Sequence, residues 1–144
     1  MGLINIRTIG LSDYNDIYLL NEELGYLFPI EKLKERILYI TENNKDAILV
    51  AEKDNEVIGY IHGSPYELLY SDSLINILGF VVKEKVRNCG VGTLLINSLE
   101  YWAKENGYSG IRLVSGYDRL NAHRFYQKQG YVYRKDQKNF IKVF

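Results

Sequence analysis

An α/β fold, with a mixed central sheet covered by helices, is the architecture this sequence predicts. Three observations point to it. Stretches with a two-residue apolar period alternate with stretches of three-and-four spacing, so strands and helices interleave. A tight-turn signal at Asp54–Asn55 joins two apolar runs, which makes neighbouring strands antiparallel. No repeat, low-complexity tract or long linker interrupts the 144 residues, so 1–144 is expected to form one domain.

The elements follow in order. "INIRTI" (4–9) alternates as a half-buried strand does. Ser12 is placed to cap a helix from about Asp13 to Leu24, with Asn15 at the box position; Ile17, Leu20 and Leu24 share its apolar side and Gly25 stops it. Pro29 opens a second helix, with Leu33, Ile37 and Ile40 on one face, ending near "TENNKD". "AILVAEKDNEVIGYIHG" (47–63) is the hairpin, "PYELLYSDS" a polar-aromatic loop, and "LINILGFVV" (74–82) a long buried strand. From Val91 helical spacing returns: Leu94, Leu95, Ser98, Leu99 and Trp102 fall on one side, closed by Gly107. "GIRLVS" (110–115) is a strand and 119–130 a helix ending at Gly130. "YVYRK" and "FIKVF" are expected to close the sheet as two strands.

Composition narrows the function classes. Eighteen basic residues balance eighteen acidic ones, so no broad field draws in nucleic acid or an anionic membrane. A single cysteine, Cys89, excludes an intramolecular disulfide and a cysteine-based zinc site, and no metal is expected. The first ten residues lack a signal-peptide pattern and no apolar run approaches the roughly 20 residues of a bilayer span. A cytoplasmic protein is the expectation.

The chemistry concentrates at "VRNCGVGTLL" (86–95), between a strand and a helix. Helix N-termini present N–H groups without internal partners, and the helix dipole adds partial positive charge. Gly90 and Gly92 let a phosphate approach the backbone without meeting a Cβ, and Arg87 offers a donor fork beside it, while Val91 and Leu94 face the core. The dinucleotide fingerprint fails because Leu95 stands three residues past Gly92; the nucleoside-triphosphate loop fails for want of Gly-Lys-Ser/Thr. What remains is R-x-x-G-x-G after a strand. About thirty residues on comes "NAHRFYQKQGY" (121–131).

These two segments and their spacing resemble the GNAT superfamily of N-acetyltransferases, which move acetyl from acetyl-coenzyme A to an amine. The resemblance is carried by roughly residues 74–132. The family joins an R/Q-x-x-G-x-G/A loop to a later N-x-x-A/R-x-x-F-Y-x-K-x-G-F/Y segment; here His123 and Arg124 lie inside the second, and Tyr131 replaces Phe. The resemblance implies a mostly antiparallel sheet with a splayed strand pair for coenzyme A. It implies that main-chain groups of Phe80, Val81 and Val82 meet the pantetheine arm, one N–H stabilising the oxyanion. Arg87, Asn88, Cys89, Gly90, Val91, Gly92 and Thr93 would hold the pyrophosphate. Asn121 would contact the coenzyme, though on sequence alone it serves equally to bond its own helix backbone. Tyr126 would protonate the departing thiolate; burial in a core is its other reading.

One departure limits the mechanism. Many family members carry a glutamate on the strand before the loop, and Leu78 holds that position here. Asn76, on the same face by alternation, orients water but takes no proton readily. Glu22, Glu23 and Glu67 are base candidates by location only, and deprotonation through ordered water is the expectation. A covalent role for Cys89 is not expected, and His62 and His123 read as structural or surface residues. The acceptor, a small amine or a peptide, should lie among residues 20–32, 64–73 and the chain end, where Tyr26, Tyr66, Tyr70 and Tyr133 stand. The competing reading is a coenzyme-binding or regulatory module without catalysis; a nucleotide binder is a third. Exposed aromatics and a terminal strand are compatible with a homodimer.

Overall fold

Each strand sends successive side chains to opposite sides of the sheet, and the helices divide between its two faces. The computed structural model describes residues 2–43 and 45–144, which group into two compact units, Met1–Leu113 and Val114–Phe144. The first holds β1 (Asn5–Thr8), α1 (Tyr14–Glu23), α2 (Ile30–Asn43), β2 (Ala47–Lys53), β3 (Glu56–Tyr66), β4 (Leu74–Val82), α3 (Val91–Glu105) and β5 (Ile111–Leu113). The second holds α4 (Leu120–Lys128). The five strands lie in sequence order in one sheet, antiparallel from β1 to β4, with β5 parallel to β4.

The hairpin forms as the sequence predicts. Asp54 and Asn55 both adopt positive φ, 52° and 63°, as a two-residue turn matched to strand twist requires. Lys53 then pairs Glu56. β3 runs three residues beyond the predicted hairpin end. Pro65 sits opposite Ile75, past the last β2 partner at Gly63, where its missing N–H interrupts no second ladder. The loop is therefore 67–73.

The start of α1 differs from expectation. Ser12 lies inside a short 3₁₀ turn, Leu11–Asp13, and makes no cap. Asp13, at the N-cap of α1, makes no side-chain cap either: its Oδ2 accepts the Gly10 N–H at 2.7 Å and an Arg7 Nη1 bond at 2.8 Å, while Oδ1 accepts Arg7 Nη2 at 2.9 Å. The two parallel bonds from Arg7 fix the Asp13 carboxylate between β1 and the start of α1. The hydrogen bond from Arg7 holds the Asp13 carboxyl below the usual carboxylate range.

α1 and α2 pack on one sheet face. Ile17, Leu20 and Ile37 join Ile48, Val50, Val57 and Val81 in one buried cluster, with Leu33, Ile40 and Tyr60 against it. α3 covers the opposite face through Val91, Leu95, Ile96, Leu99 and Ala103. That stripe is rotated from the predicted one: Leu94 is 43% exposed, whereas Leu95 and Leu99 are fully buried. The helix comes close because β3 offers glycine there. A Cβ on Gly59 would stand 3.2 Å from Leu95 Cδ1, and one on Gly63 2.7 Å from Ile75 Cγ2 and 3.0 Å from Leu99 Cδ1.

Within the second unit, α4 ends as expected, with Gly130 at φ 94° and the Tyr131 N–H bonding Tyr126 O at 3.0 Å. The two predicted closing strands do not form: residues 131–144 join no ladder among the described residues. Alternation and aromatic content give "YVYRK" and "FIKVF" strand propensity, but a strand exists only where a neighbour accepts its hydrogen bonds. A local bond from Tyr133 OH to Asp136 Oδ1, 2.6 Å, forms instead.

Candidate functional site

The segment between β4 and α3 is built from backbone conformations that few residues accept. After a 3₁₀ turn at Glu84–Val86, Arg87 is extended, Asn88 is left-handed at φ 69°, and Gly90 is left-handed at φ 85°. Asparagine tolerates that region, and glycine enters it without strain. Nothing lies within 4 Å of a Cβ built on Gly90, so the dihedral angle rather than crowding demands glycine. α3 begins at Val91, its first backbone bond running from Leu94 N to Gly90 O at 3.1 Å. No side chain caps it. The first-turn amides of Val91 and Gly92 thus face outward at the positive end of a fifteen-residue helix, a geometry that accepts an anion. Cys89 is an exposed free thiol whose N–H bonds Val86 O at 3.3 Å.

Arg87 does more than stand beside this turn. Its Nε donates to Val82 O at 3.1 Å, tying the turn to the last residue of β4. Its two Nη groups are the donors left for an anion, and the Val82 carbonyl is already engaged.

β4 enters the segment with a half-used edge. Towards β3 it pairs throughout, with Phe80 opposite Ile61, Val81 opposite Tyr60 and Val82 opposite Gly59. Towards β5 the ladder covers only Ile75–Ile77 with Ile111–Leu113. The Val81 side chain is core, as expected.

A bulge lies just before these residues. His62 pairs Gly79 and Gly63 pairs Ile77, so Leu78 is the extra residue and stands 58% exposed. The continuous buried strand expected from "LINILGFVV" is broken there. Around the bulge the α1/α2 face turns polar. His62 Nε2 meets Asp46 Oδ2 at 2.7 Å, and Ser64 Oγ donates to Asp46 Oδ1 at 2.9 Å. Asn76, paired with Ser64, accepts from Arg112 Nη1 at 2.7 Å through Oδ1. The Arg112 guanidinium lies 4.3 Å from the centre of the Tyr66 ring. Tyr60 donates to Asn21 Oδ1 at 2.5 Å, and burial pushes its phenol up to about 12. Sequence reasoning missed the His62 pair because Asp46 precedes β2 and reaches His62 only across the hairpin; their separation of sixteen residues matches no catalytic spacing.

The acidic candidates are largely committed. Glu23 Oε1 accepts the Glu84 N–H at 2.9 Å, and Glu67 Oε1 accepts Ser73 Oγ–H at 2.7 Å. Glu22 and Glu23 line a cleft of about 220 Å³ with Glu56 and Lys83, themselves an ion pair. Of the predicted acceptor tyrosines, Tyr26 and Tyr70 are exposed, Tyr66 stacks under Arg112, and Tyr133 bonds Asp136.

In the second unit, Asn121 and Tyr126 sit on α4. Asn121 Oδ1 accepts from Arg124 Nη2, and His123 Nε2 meets Gly116 O at 2.8 Å. Tyr126 stacks edge-on with Phe125 and Tyr131 at centroid distances of 5.6 and 6.2 Å. Burial raises its phenol pKa, opposed in part by the Arg119 charge, so it keeps its proton at neutral pH.

Known proteins share this fold. An uncharacterized N-acetyltransferase of Methanocaldococcus jannaschii is 36% identical over 87 residues, 60% of this chain and 53% of the relative. The chain spans about half the length of the first curated relatives it matches. A GNAT family acetyltransferase structure from Staphylococcus aureus superposes with a TM-score of 0.79 at 26% identity, covering 100% of both chains. The aminoglycoside N-acetyltransferase AAC(6')-Iy, solved with CoA, shares the fold at a TM-score of 0.88 and 17% identity, over 99% of this chain and 96% of its own. Residues 14–131 match the model of the acetyltransferase (GNAT) family, and the chain belongs to that family.

Proposed function

We propose that this chain, with residues 1–144 as its acetyltransferase domain, moves acetyl from acetyl-coenzyme A to a primary amine by direct attack through a tetrahedral intermediate. The observation that carries the reading is the uncapped start of α3, opened by left-handed Asn88 and Gly90 directly after β4. Amides of residues 87–93 would take the pyrophosphate, with the Arg87 Nη groups beside it. Main-chain groups of Phe80, Val81 and Val82 would meet the pantetheine amides, a backbone N–H serving the oxyanion. Tyr126, protonated at neutral pH, would donate to the departing sulfur, and Asn121 would contact the coenzyme. The relatives' names support acetyl transfer, and the CoA complex of AAC(6')-Iy supports the co-substrate. The acceptor is a small-molecule or peptide amine.

Calorimetric titration with acetyl-coenzyme A, followed by thiol detection across an amine panel, tests this. Micromolar binding with turnover on at least one amine is expected. Gly92→Asp supplies a discriminating variant: a carboxylate in the first turn favours the helix dipole, so the melting temperature holds, while coenzyme affinity falls at least about tenfold through repulsion of the pyrophosphate. Tyr126→Phe is expected to lower kcat about 10²-fold with little change in coenzyme affinity. Tight binding without turnover, and a silent Tyr126→Phe, would leave a coenzyme-binding module, the reading that Leu78 favours.

A further inference from the structure

An ammonium with a reference pKa near 10 must lose a proton before it attacks a thioester. Leu78, at the strand position where a glutamate is common, takes none; Glu23 and Glu67 each accept another hydrogen bond, and Glu22 lines the cleft beside the Glu56–Lys83 ion pair. We infer that His62, oriented by Asp46, is the group that removes the proton from the acceptor amine. This rests on the acetyl-transfer reading above.

Position comes first. His62 lies on β3 directly opposite Gly79, and the unmatched residue of the bulge beside it is Leu78. The His62 backbone therefore lies one strand spacing, about 5 Å, from that of Gly79, the residue next to the vacant base position. Along β4, Phe80–Val82 follow immediately. The bulge locally re-aims the strand, which is a recurring device beside active sites.

Chemistry comes second. Asp46 is nearly buried, its side chain 5% exposed, and receives two donors: Ser64 Oγ–H on Oδ1 and the imidazole on Oδ2. A carboxylate accepts, so Nε2 carries the proton and the lone pair rests on Nδ1. Nδ1 is the ring nitrogen left for a second partner, and the His62 side chain keeps 15% of its surface open. The neighbours leave it that task. Ile48 faces it from β2 and Gly79 from β4, neither titratable. Tyr60, next on the same face, donates to Asn21 and holds its proton to about pH 12. Asp46 is a positioning residue: it fixes the tautomer and stabilises the imidazolium once formed.

The step balances without a further reagent. The ammonium gives one proton to Nδ1, and the neutral nitrogen attacks the thioester carbon. The C–N bond forms, the C–S bond breaks, Tyr126 protonates the departing thiolate, and the proton lost on forming the amide restores the phenol through solvent. The imidazolium releases its proton to water.

His62→Gln tests this, because the glutamine amide can still donate to Asp46 and so preserves a purely structural role. The probes are spermidine, kanamycin and tyramine as charged alkylamines, and methoxyamine as an acceptor already neutral at assay pH. The expected result is an unchanged melting temperature and acetyl-coenzyme A affinity, a kcat about 10²-fold lower on the charged amine that wild type uses, a smaller loss on methoxyamine, and partial rescue by added imidazole. Asp46→Asn should lower kcat with KM little changed. Wild-type turnover by His62→Gln, or an equal loss on methoxyamine, overturns the inference alone. A wild-type protein that neither binds acetyl-coenzyme A nor turns over any amine overturns the acetyl-transfer reading and this one with it. Nitrogen-15 imidazole spectra of the unmodified protein give a check that needs no variant to fold. A bare Nδ1 and a protonated Nε2 are expected for His62, and the opposite tautomer would sink the proposal.

Discussion

The two faces of the sheet are made by the same strands and differ in nearly every physical respect. On the α3 face, Gly59 of β3 stands against Val91 and Leu95 and Gly63 against Leu99, with Ile61 fully buried between the two glycines. On the α1/α2 face the next residues along, Tyr60, His62 and Ser64, each find a polar partner in Asn21 or Asp46. A strand sends successive side chains to opposite sides, so one sequence can close an apolar core and line up a partly buried polar row at once. The comparison teaches that both faces carry a core, and that only the α1/α2 face sets polar side chains beside it.

That contrast is broken most forcefully at Leu99. Truncation to alanine leaves a cavity in the fully buried α3 face, and a loss of about 2–5 kcal/mol is expected in denaturant unfolding. Gly63→Ala attacks the same face by overpacking, with Cβ at 2.7 Å from Ile75 Cγ2; about 1–3 kcal/mol is expected. Because the added methyl also meets Leu99 at 3.0 Å, the double variant should fall short of the sum, a coupling that equilibrium unfolding resolves.

The polar face is sharpened by pH. The bond from Arg7 lowers the Asp13 carboxyl, so the native state binds fewer protons than the unfolded chain. The resulting stability is present above about pH 4 and is lost as pH falls through the lowered value. Asp13→Asn should cost about 1–2 kcal/mol at pH 7, allowing for an Arg7 side chain that is 32% exposed, and the difference from wild type should shrink in acid. Smallest is Tyr66→Leu, which removes the ring under Arg112. About 0.5–1 kcal/mol is expected, with the fold otherwise intact.

Local chemistry alone wrote much of this molecule. Asp54–Asn55 dictated the hairpin because few residue pairs accept two positive φ angles, and Gly90 marked the mouth of α3 for the same reason. Leu33, Ile37 and Ile40 announced the buried side of α2 through helical spacing. Those features depend on residues a few positions apart, as do the 87–92 loop and the 121–131 segment that carry the family resemblance. What spacing could not reveal was set by contacts across the chain. Arg7 bound Asp13 across the turn before α1, and the bulge at Leu78 was fixed by register with His62 and Gly63. Residues 131–144 had the alternation of strands yet joined no ladder among the described residues, since pairing belongs to two strands and propensity to one. The Asp46–His62 pair is the fullest case: neither residue signals the other in sequence, and only the hairpin register brings a carboxylate to within 2.7 Å of an imidazole.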